Sequence, residues 1–364
     1  MIKPSQEGFE VVAAFNPGVV RHGDTTCFLI RVAERPVEKR PGFIAIPRLK
    51  KGEIVIDWQP MDTLIELDER SLRSKAQGYF FLSAISHLRL ATSRDGINID
   101  YISETPTIFP RKAFEEFGIE DPRITLIDDT FYITYAAVSR HGISTALAST
   151  KDFQTFDRHG IIFPTENKGV VIFPEKINNH YLALHRPLSA NPFGPPEMWM
   201  AYSPDLMHWG RHHCTIGACC EFQCIKIAPV AGLPTGCFCR RRRASDWDAM
   251  RVGAGAPPLK TQDGWLVIYH GSYKTEPTDK RGVYCGGAAL FDLNNPEKLL
   301  AKAKMPILVP ERDYEQNGYM PNVVFPTGVV EEDGNLLIYY GAADTNVAVA
   351  KLSLQDVLDA ILKD

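Results

Sequence analysis

Four residues, Glu120-Asp121-Pro122-Arg123, stand immediately before an alternating apolar stretch in FGIEDPRITLIDDTFYITYAAVS, which runs from Phe117 to Ser139. Two readings fit them. Asp-Pro opens turns well, because proline presets φ and an aspartate side chain bonds nearby backbone. Alternatively, a rigid backbone holds the Asp121 carboxyl at the mouth of a pocket. Other polar side chains close alternating runs elsewhere in the chain: Arg31, Tyr135, Arg186, His270 and Tyr340. Singly, each reads equally well as a satisfied structural group. Gathered around one carboxyl, they would form a hydrogen-bonding funnel suited to a sugar and an anion.

Such a funnel needs elements that bring distant residues together, and the chain carries a repeat. HGDTTCFLIRVA, DDTFYITYAA, INNHYLALHRP, QDGWLVIYHG and EDGNLLIYYG share one form: a polar turn, an alternating strand, then polar or aromatic residues at its end. ATSRDG, ASTKDF and AYSPDL follow three of these runs and place Asp95, Asp152 and Asp205 two residues after a hydroxyl residue. A strand–turn–strand unit recurring every fifty to seventy residues suits the four-stranded blades of a β-propeller. The expectation is an all-β chain, a single five-bladed β-propeller catalytic domain over 1–364, whose inner strand ends converge on one axis. The 27 glycines and 26 prolines are scattered, as short strands joined by turns require. Helical signals are few: RKAFEEFG, and a short C-terminal helix in LQDVLDAILKD with Leu354, Val357, Leu358, Ile361 and Leu362 on one stripe.

Composition excludes several classes of function. A net charge of −4 argues against a nucleic-acid binder that works by neutralising phosphates. The opening MIKPSQEGFE has no apolar core of a secretory signal, and no apolar run is long enough to span a membrane. The expected location is cytoplasmic, where the eight cysteines would be reduced thiols.

The chain resembles glycoside hydrolase family 130, five-bladed propellers that cleave β-mannosides, mostly by phosphorolysis. The resemblance lies in EGFEVVAAFNPGVV, FLIRVAERP, GIEDPRIT, LALHRP, YSPDLMHWG, RVGAGAPPLKTQDGWLVIYHG and YYGAADT, in family order from residue 7 to 345. EGFEVVAAFNPGV and RVAERP look most like the β-1,2-oligomannan phosphorylase branch. The resemblance implies an acid at Asp121, with the proton relayed through a sugar hydroxyl. That carboxyl must be protonated near neutral pH, and burial and a bound phosphate dianion would both raise its pKa. Arg123 would orient a neighbour or make an ion pair.

An inverting hydrolase needs a second carboxylate to activate water. A phosphorylase needs instead a cradle for an anion that is already nucleophilic. The resemblance implies Arg186, Arg251, Lys260 and His270 for phosphate. For the mannosyl group it implies Asn16, Arg31, Arg35 and Asp344. His208 would line the acceptor side, with Tyr135, Tyr269 and Tyr340 stacking on or bonding to sugars. Phosphate is then the co-substrate, and no cofactor or metal is implied. A β-manno-oligosaccharide is the partner, without nucleic acid or membrane, and with assembly into a homo-oligomer as an option. A water-using β-mannosidase and a non-catalytic carbohydrate-binding propeller are the alternatives.

Residues 211–245 depart from the pattern. They hold six of the eight cysteines (Cys214, Cys219, Cys220, Cys224, Cys237 and Cys239), near His212 and His213 and followed by Arg240 to Arg243. The spacing is irregular and gives no pair of zinc knuckles. An inserted surface loop or a locally altered reading frame fits better.

Overall fold

A computed structural model describes residues 2–188, 195–217, 246–276 and 282–362. The chain is all-β with few helices. Five antiparallel sheets follow one another along it. The first joins Phe9–His22, Thr25–Pro36, Ile85–Ser93 and Tyr101–Ile102. The second joins Ile119–Ile127, Thr130–Ser139, Gly142–Thr150 and Asp157–Phe163. The third joins Asn167–Ile172, Tyr181–Pro187, Met198–Ser203 and Gly210–Ile216. The fourth is built on Arg251–Ala254, Trp265–Tyr273, Val283–Phe291 and Leu299–Lys302, and the fifth on Val324–Glu332, Asn335–Ala342 and Asn346–Ser353.

Each sheet meets the next through an apolar layer, and the fifth meets the first. Leu29 and Leu88 pack with Ile124 and Ile133; Leu147 with Ala183; Leu184 with Val267; Ile268 with Ile338; Phe28 and Val32 with Leu337. Every sheet is therefore covered on both faces. This is why Thr130–Ser139 is buried from Ile133 onward and not on alternate residues only. The first strands of consecutive sheets touch, Phe9–His22 with Ile119–Ile127 and Ile119–Ile127 with Asn167–Ile172, and Val324–Glu332 touches Phe9–His22.

The aspartate signature has a concrete cause. Asp95 Oδ1 accepts the amides of Ile97 and Asn98 at 2.8 and 2.7 Å; Asp152 does the same with Gln154 and Thr155, and Asp205 with Met207 and His208. Each carboxylate closes the turn after the third strand of its sheet. Asp292 repeats this in the fourth sheet, with Asn294 and Asn295 at 2.9 Å. In the fifth sheet the third strand instead runs into the helix Leu354–Leu362. Val357, Leu358 and Ile361 of that helix are buried against the fourth and fifth sheets, whereas Leu362 is exposed. RKAFEEFG gives only one 3₁₀ turn, Ala113–Glu115. No described helix is long and apolar enough to cross a membrane.

Two features differ from the sequence reading. Between the second and third strands of the first sheet, residues 37–84 leave the sheet. They form a hairpin, Phe43–Lys50 with Glu53–Pro60, and a small sheet of Leu64–Glu66, Ser71–Ser74 and Phe80–Leu82. Secondly, the departure assigned to 211–245 begins later, because Gly210–Ile216 is the outer strand of the third sheet. Cys219, Cys220, Cys224, Cys237 and Cys239 lie outside the described residues.

Candidate active site

A recurring backbone irregularity aims the polar side chains. In the first sheet the ladder passes from Phe15–Arg31 to Gly18–Leu29, leaving Asn16 and Pro17 unpaired. In the second it passes from Glu120–Ala136 to Arg123–Thr134, leaving Asp121 and Pro122. In the third it passes from Lys168–Arg186 to Val171–Leu184. These are bulges, which bend a strand and redirect one side chain. Proline is tolerated there because the bulged residue gives up no ladder hydrogen bond. Asn16 and Asp121 take φ of 46° and 49°, a left-handed geometry that asparagine and aspartate accept more readily than most residues. The Asp-Pro of the opening motif therefore lies inside the strand Ile119–Ile127 and not in a turn before it.

The bulges bring Asn16 and Asp121 together. Asp121 Oδ1 accepts from Asn16 Nδ2 and from Arg31 Nη1, each at 2.9 Å. Arg31 also meets Glu120 at 2.7 Å and donates to Ser86 Oγ at 3.2 Å. Arg70, carried in by residues 37–84, reaches Glu120 at 3.1 Å. Burial opposes ionisation of Asp121, but Arg31, Lys168 and Arg123, with the Asn16 amide, hold its carboxyl well below the usual range. These cations favour the ionised carboxyl in the ligand-free site; the expectation of a protonated acid included a bound phosphate dianion. Asp344 lies in the same field. Burial, with Asp121, raises its carboxyl against the pull of Arg70 and Arg31.

The opposite side of Asp121 is cationic. Lys168 and Arg186 face each other across the third sheet's ladder. Burial, then Arg186, pushes Lys168 down to about 8. Burial, together with other nearby cations, lowers Arg123 and Arg186 to about 10. Arg186 Nη1 donates to His270 Nε2, so the ring's proton sits on Nδ1. Burial, Arg186, Arg123 and Lys168 keep His270 neutral, so it joins the cradle as a hydrogen-bond donor and not as a cation. Arg123 donates to the carbonyls of Gly255, Asp121 and Pro122, tying the second sheet to the fourth in place of an ion pair. Arg123 Nη2, Arg186 Nε and His270 Nδ1 are all buried, without a partner among the described residues. Phe325 covers the His270 ring at 4.4 Å between centroids. Arg251 bonds the Tyr284 hydroxyl at the edge of this group, where its charge acts on Arg186.

Asn16, Arg31, Asp121, Arg186, His270 and Asp344 thus share one neighbourhood, with Arg251 on its border. Six other expected residues do not join it. Lys260 is half exposed, pairs with Glu175 at 2.6 Å and lies opposite Trp265. His270 is five residues further along that strand, about 16 Å away at ~3.3 Å per residue. Arg35 shares a strand face with Arg31 but sits four residues, about 13 Å, further out, exposed and bonded to Glu10 at 2.6 Å. His208 projects into solvent against its own turn aspartate, Asp205, at 2.7 Å. Tyr135 is buried and donates to Glu115 at 3.0 Å, and Tyr340 is buried and donates to Glu315 at 2.6 Å. Tyr269 likewise turns its hydroxyl to buried Asp248.

Lys168, Arg70 and Glu120 are the members that the sequence reading did not single out. Lys168 had a signal in its position: it is the last paired residue before the bulge Gly169-Val170, the place that Phe15 and Glu120 hold before the bulges of the two preceding sheets. Arg70 had none, because it arrives on a segment outside the repeat.

Comparison with known proteins bears on this geometry. The family model described as β-1,4-mannooligosaccharide phosphorylase, that of glycoside hydrolase family 130, matches residues 78–363. The chain is 39% identical to a β-1,2-mannobiose phosphorylase of Listeria innocua over 98% of this chain and 93% of the relative. It is 36% identical to a 1,2-β-oligomannan phosphorylase of Thermoanaerobacter over 75% of this chain and 80% of the relative. The solved β-1,2-mannobiose phosphorylase from Listeria innocua, in complex with β-1,2-mannobiose, superposes with a TM-score of 0.87 at 38% identity, covering 100% of this chain and 96% of that one. This chain belongs to glycoside hydrolase family 130.

Proposed function

We propose that the protein is an inverting β-mannoside phosphorylase, acting on β-1,2-linked manno-oligosaccharides. Its five sheets are read as the blades of one five-bladed propeller spanning the chain, with the site on the axis. The observation that carries the reaction is the set of three unpartnered, buried donors, Arg123 Nη2, Arg186 Nε and His270 Nδ1, beside Lys168 and within the electrostatic reach of Asp121. A buried donor without a partner costs about 1–3 kcal/mol, and a phosphate bound there would satisfy all three. The relatives' names support the same chemistry.

In this reading the mannosyl ring sits among Asn16, Arg31, Arg70 and Asp344. A phosphate oxygen held by Arg123, Lys168, Arg186 and His270 forms a bond to C1 as the C1–O bond to the leaving sugar breaks. The electron pair goes to the leaving oxygen, which takes a proton originating at Asp121, relayed through a sugar hydroxyl. The products are α-mannose 1-phosphate and a shortened acceptor. Phosphate is anionic already, so no second carboxylate is needed to activate it. The phosphate dianion also offsets the cations that keep Asp121 ionised, so the acid gains its proton when the co-substrate binds.

The test is incubation with β-1,2-mannobiose with and without phosphate. Mannose 1-phosphate should form only with phosphate. Free mannose formed at the same rate without phosphate would instead make the protein a hydrolase. Asp121→Asn should lower kcat by about 10²–10⁴ while calorimetric binding of mannobiose persists.

A further inference from the structure

Glu120 and Asp121 are consecutive, and in a regular strand their side chains would point to opposite faces. The bulge at Asp121, with its φ of 49°, undoes that alternation. Both carboxylates consequently reach one guanidinium. Arg31 Nη1 donates to Asp121 Oδ1 at 2.9 Å, and Arg31 Nη2 pairs with Glu120 Oε1 at 2.7 Å. Arg31 is further held by Ser86 Oγ, which accepts from Nε at 3.2 Å, and by the Phe15 ring at 4.5 Å. The same Glu120 oxygen accepts from Arg70 Nη1 at 3.1 Å. One carboxylate thus takes an arm of each arginine beside Asp121.

The two acids differ in access. The Asp121 side chain is 11% exposed and that of Glu120 only 3%. Glu120 lines a small cavity with Ala13, Phe15, Ala33 and Ala84, and acts on a ligand at Asp121 only through its neighbours.

Charge decides what that action is. The cations facing Asp121 are Arg31 from the first sheet, Lys168 and Arg186 from the third, Arg123 from its own strand, and Arg70 from residues 37–84. His270, from the fourth sheet, is neutral. Against the cations stand Glu120 and Asp344. Burial above all raises the Asp344 carboxyl and weakens it as an anion. Among the carboxylates acting on Arg70, Glu120 acts most strongly. An anion beside an acid raises that acid's pKa, because ionisation would create a second like charge.

We infer that Glu120 is a positioning residue for the acid: it holds Arg31 and Arg70 beside Asp121 while neutralising part of their charge, so that Asp121 carries a proton once substrate and phosphate are bound. The inference rests on Asp121 being the acid of the phosphorylase reading, so one arm of its test needs no turnover. Glu120→Gln keeps an oxygen at the same reach and removes the charge, whereas Glu120→Asp keeps the charge. The first arm measures kcat on β-1,2-mannobiose against pH, with phosphate saturating throughout so that Lys168 acts on KM alone. Removing the anion lowers the pH at which Asp121 loses its proton. The alkaline fall of kcat should therefore begin about one pH unit lower in Glu120→Gln and stay within about 0.3 unit in Glu120→Asp. Below that fall, kcat of Glu120→Gln should come within about threefold of the wild type. An unmoved profile, or a loss of kcat equal at every pH as a merely structural contact would give, overturns the inference. The second arm follows the Asp121 carboxyl by carbon NMR of isotope-labelled protein with phosphate bound, the signal being identified by its loss in Asp121→Asn. Its titration midpoint should fall by about one unit in Glu120→Gln. An equal midpoint overturns the inference, whether or not the wild type forms mannose 1-phosphate. If Glu120→Gln fails to fold with both arginines left buried, Arg70→Gln tests the same balance from the other side. Glu120 then acts on Arg31 alone, and both readouts should rise by about half a unit; no movement overturns the inference.

Discussion

At the scale of single residues, the site depends on charge placed against burial. Lys168 stands among cations and is depressed to about 8, so it is the member of the cradle that titrates in an accessible range. A lysine whose pKa is lowered loses its proton as pH rises through that value, and a cation of the proposed phosphate site disappears with it. The KM for phosphate should therefore climb as pH rises above about 8, with the mannoside KM changing much less, and Lys168→Ala should flatten that rise. Lys168→Ala should also raise the phosphate KM at neutral pH by about tenfold or more, whereas Lys260→Ala should leave it within about twofold, because Lys260 faces solvent and Glu175. Initial-rate kinetics across pH, with each co-substrate varied in turn, decides both points. The sequence reading expected Lys260 at the phosphate and did not single out Lys168; only position on the strands separates them.

At the scale of elements, the bulge is the unit that converts a structural repeat into a site. It makes Asn16-Pro17 and Asp121-Pro122 project toward each other although 105 residues separate them. It also demands room, which small residues provide. A Cβ added at Gly253 would lie 2.7 Å from His270 Cε1 and 3.1 Å from Arg186 Cδ. Gly253→Ala should push apart the Arg186–His270 pair, raising the phosphate KM by about tenfold while the mannobiose affinity measured without phosphate holds. Loss of both together would mean that the fourth sheet itself had moved. The excursion of residues 37–84 was illegible for the opposite reason. It follows no repeat, and its contribution, Arg70, is an arginine without local context until the chain returns to Glu120.

At the scale of the whole molecule, stability is spread over five apolar layers between sheets. The terminal helix belongs to one of them, since Val357, Leu358 and Ile361 pack against Leu266, Ile268 and Ile338. Leu358→Ala should cost about 2–5 kcal/mol, read as a lower denaturant midpoint, with activity per folded molecule unchanged because the helix packs on Val283–Phe291, Leu299–Lys302 and Asn346–Ser353. A proportional fall in kcat at full folding would show that this layer also sets the geometry of the site. Covering both faces of each sheet explains why strand burial here departs from simple alternation, as from Ile133 onward in Thr130–Ser139.

By itself, the sequence determined the all-β class, the repeated strand and aspartate turn, the terminal helix, and the family through motifs such as GIEDPRIT, because these rest on local periodicity, turn chemistry and contiguous residues. It also named Asn16, Arg31, Asp121, Arg186, His270 and Asp344, six residues that the structure gathers. Tertiary structure alone decided that cations hold the Asp121 carboxyl low, that burial and cations keep His270 neutral, that Lys168 and not Lys260 faces Arg186, and that Tyr135 and Tyr340 satisfy buried glutamates. Each of those outcomes depends on which charges and hydrogen-bond partners come within a few ångströms after folding, and spacing along the chain does not encode that distance.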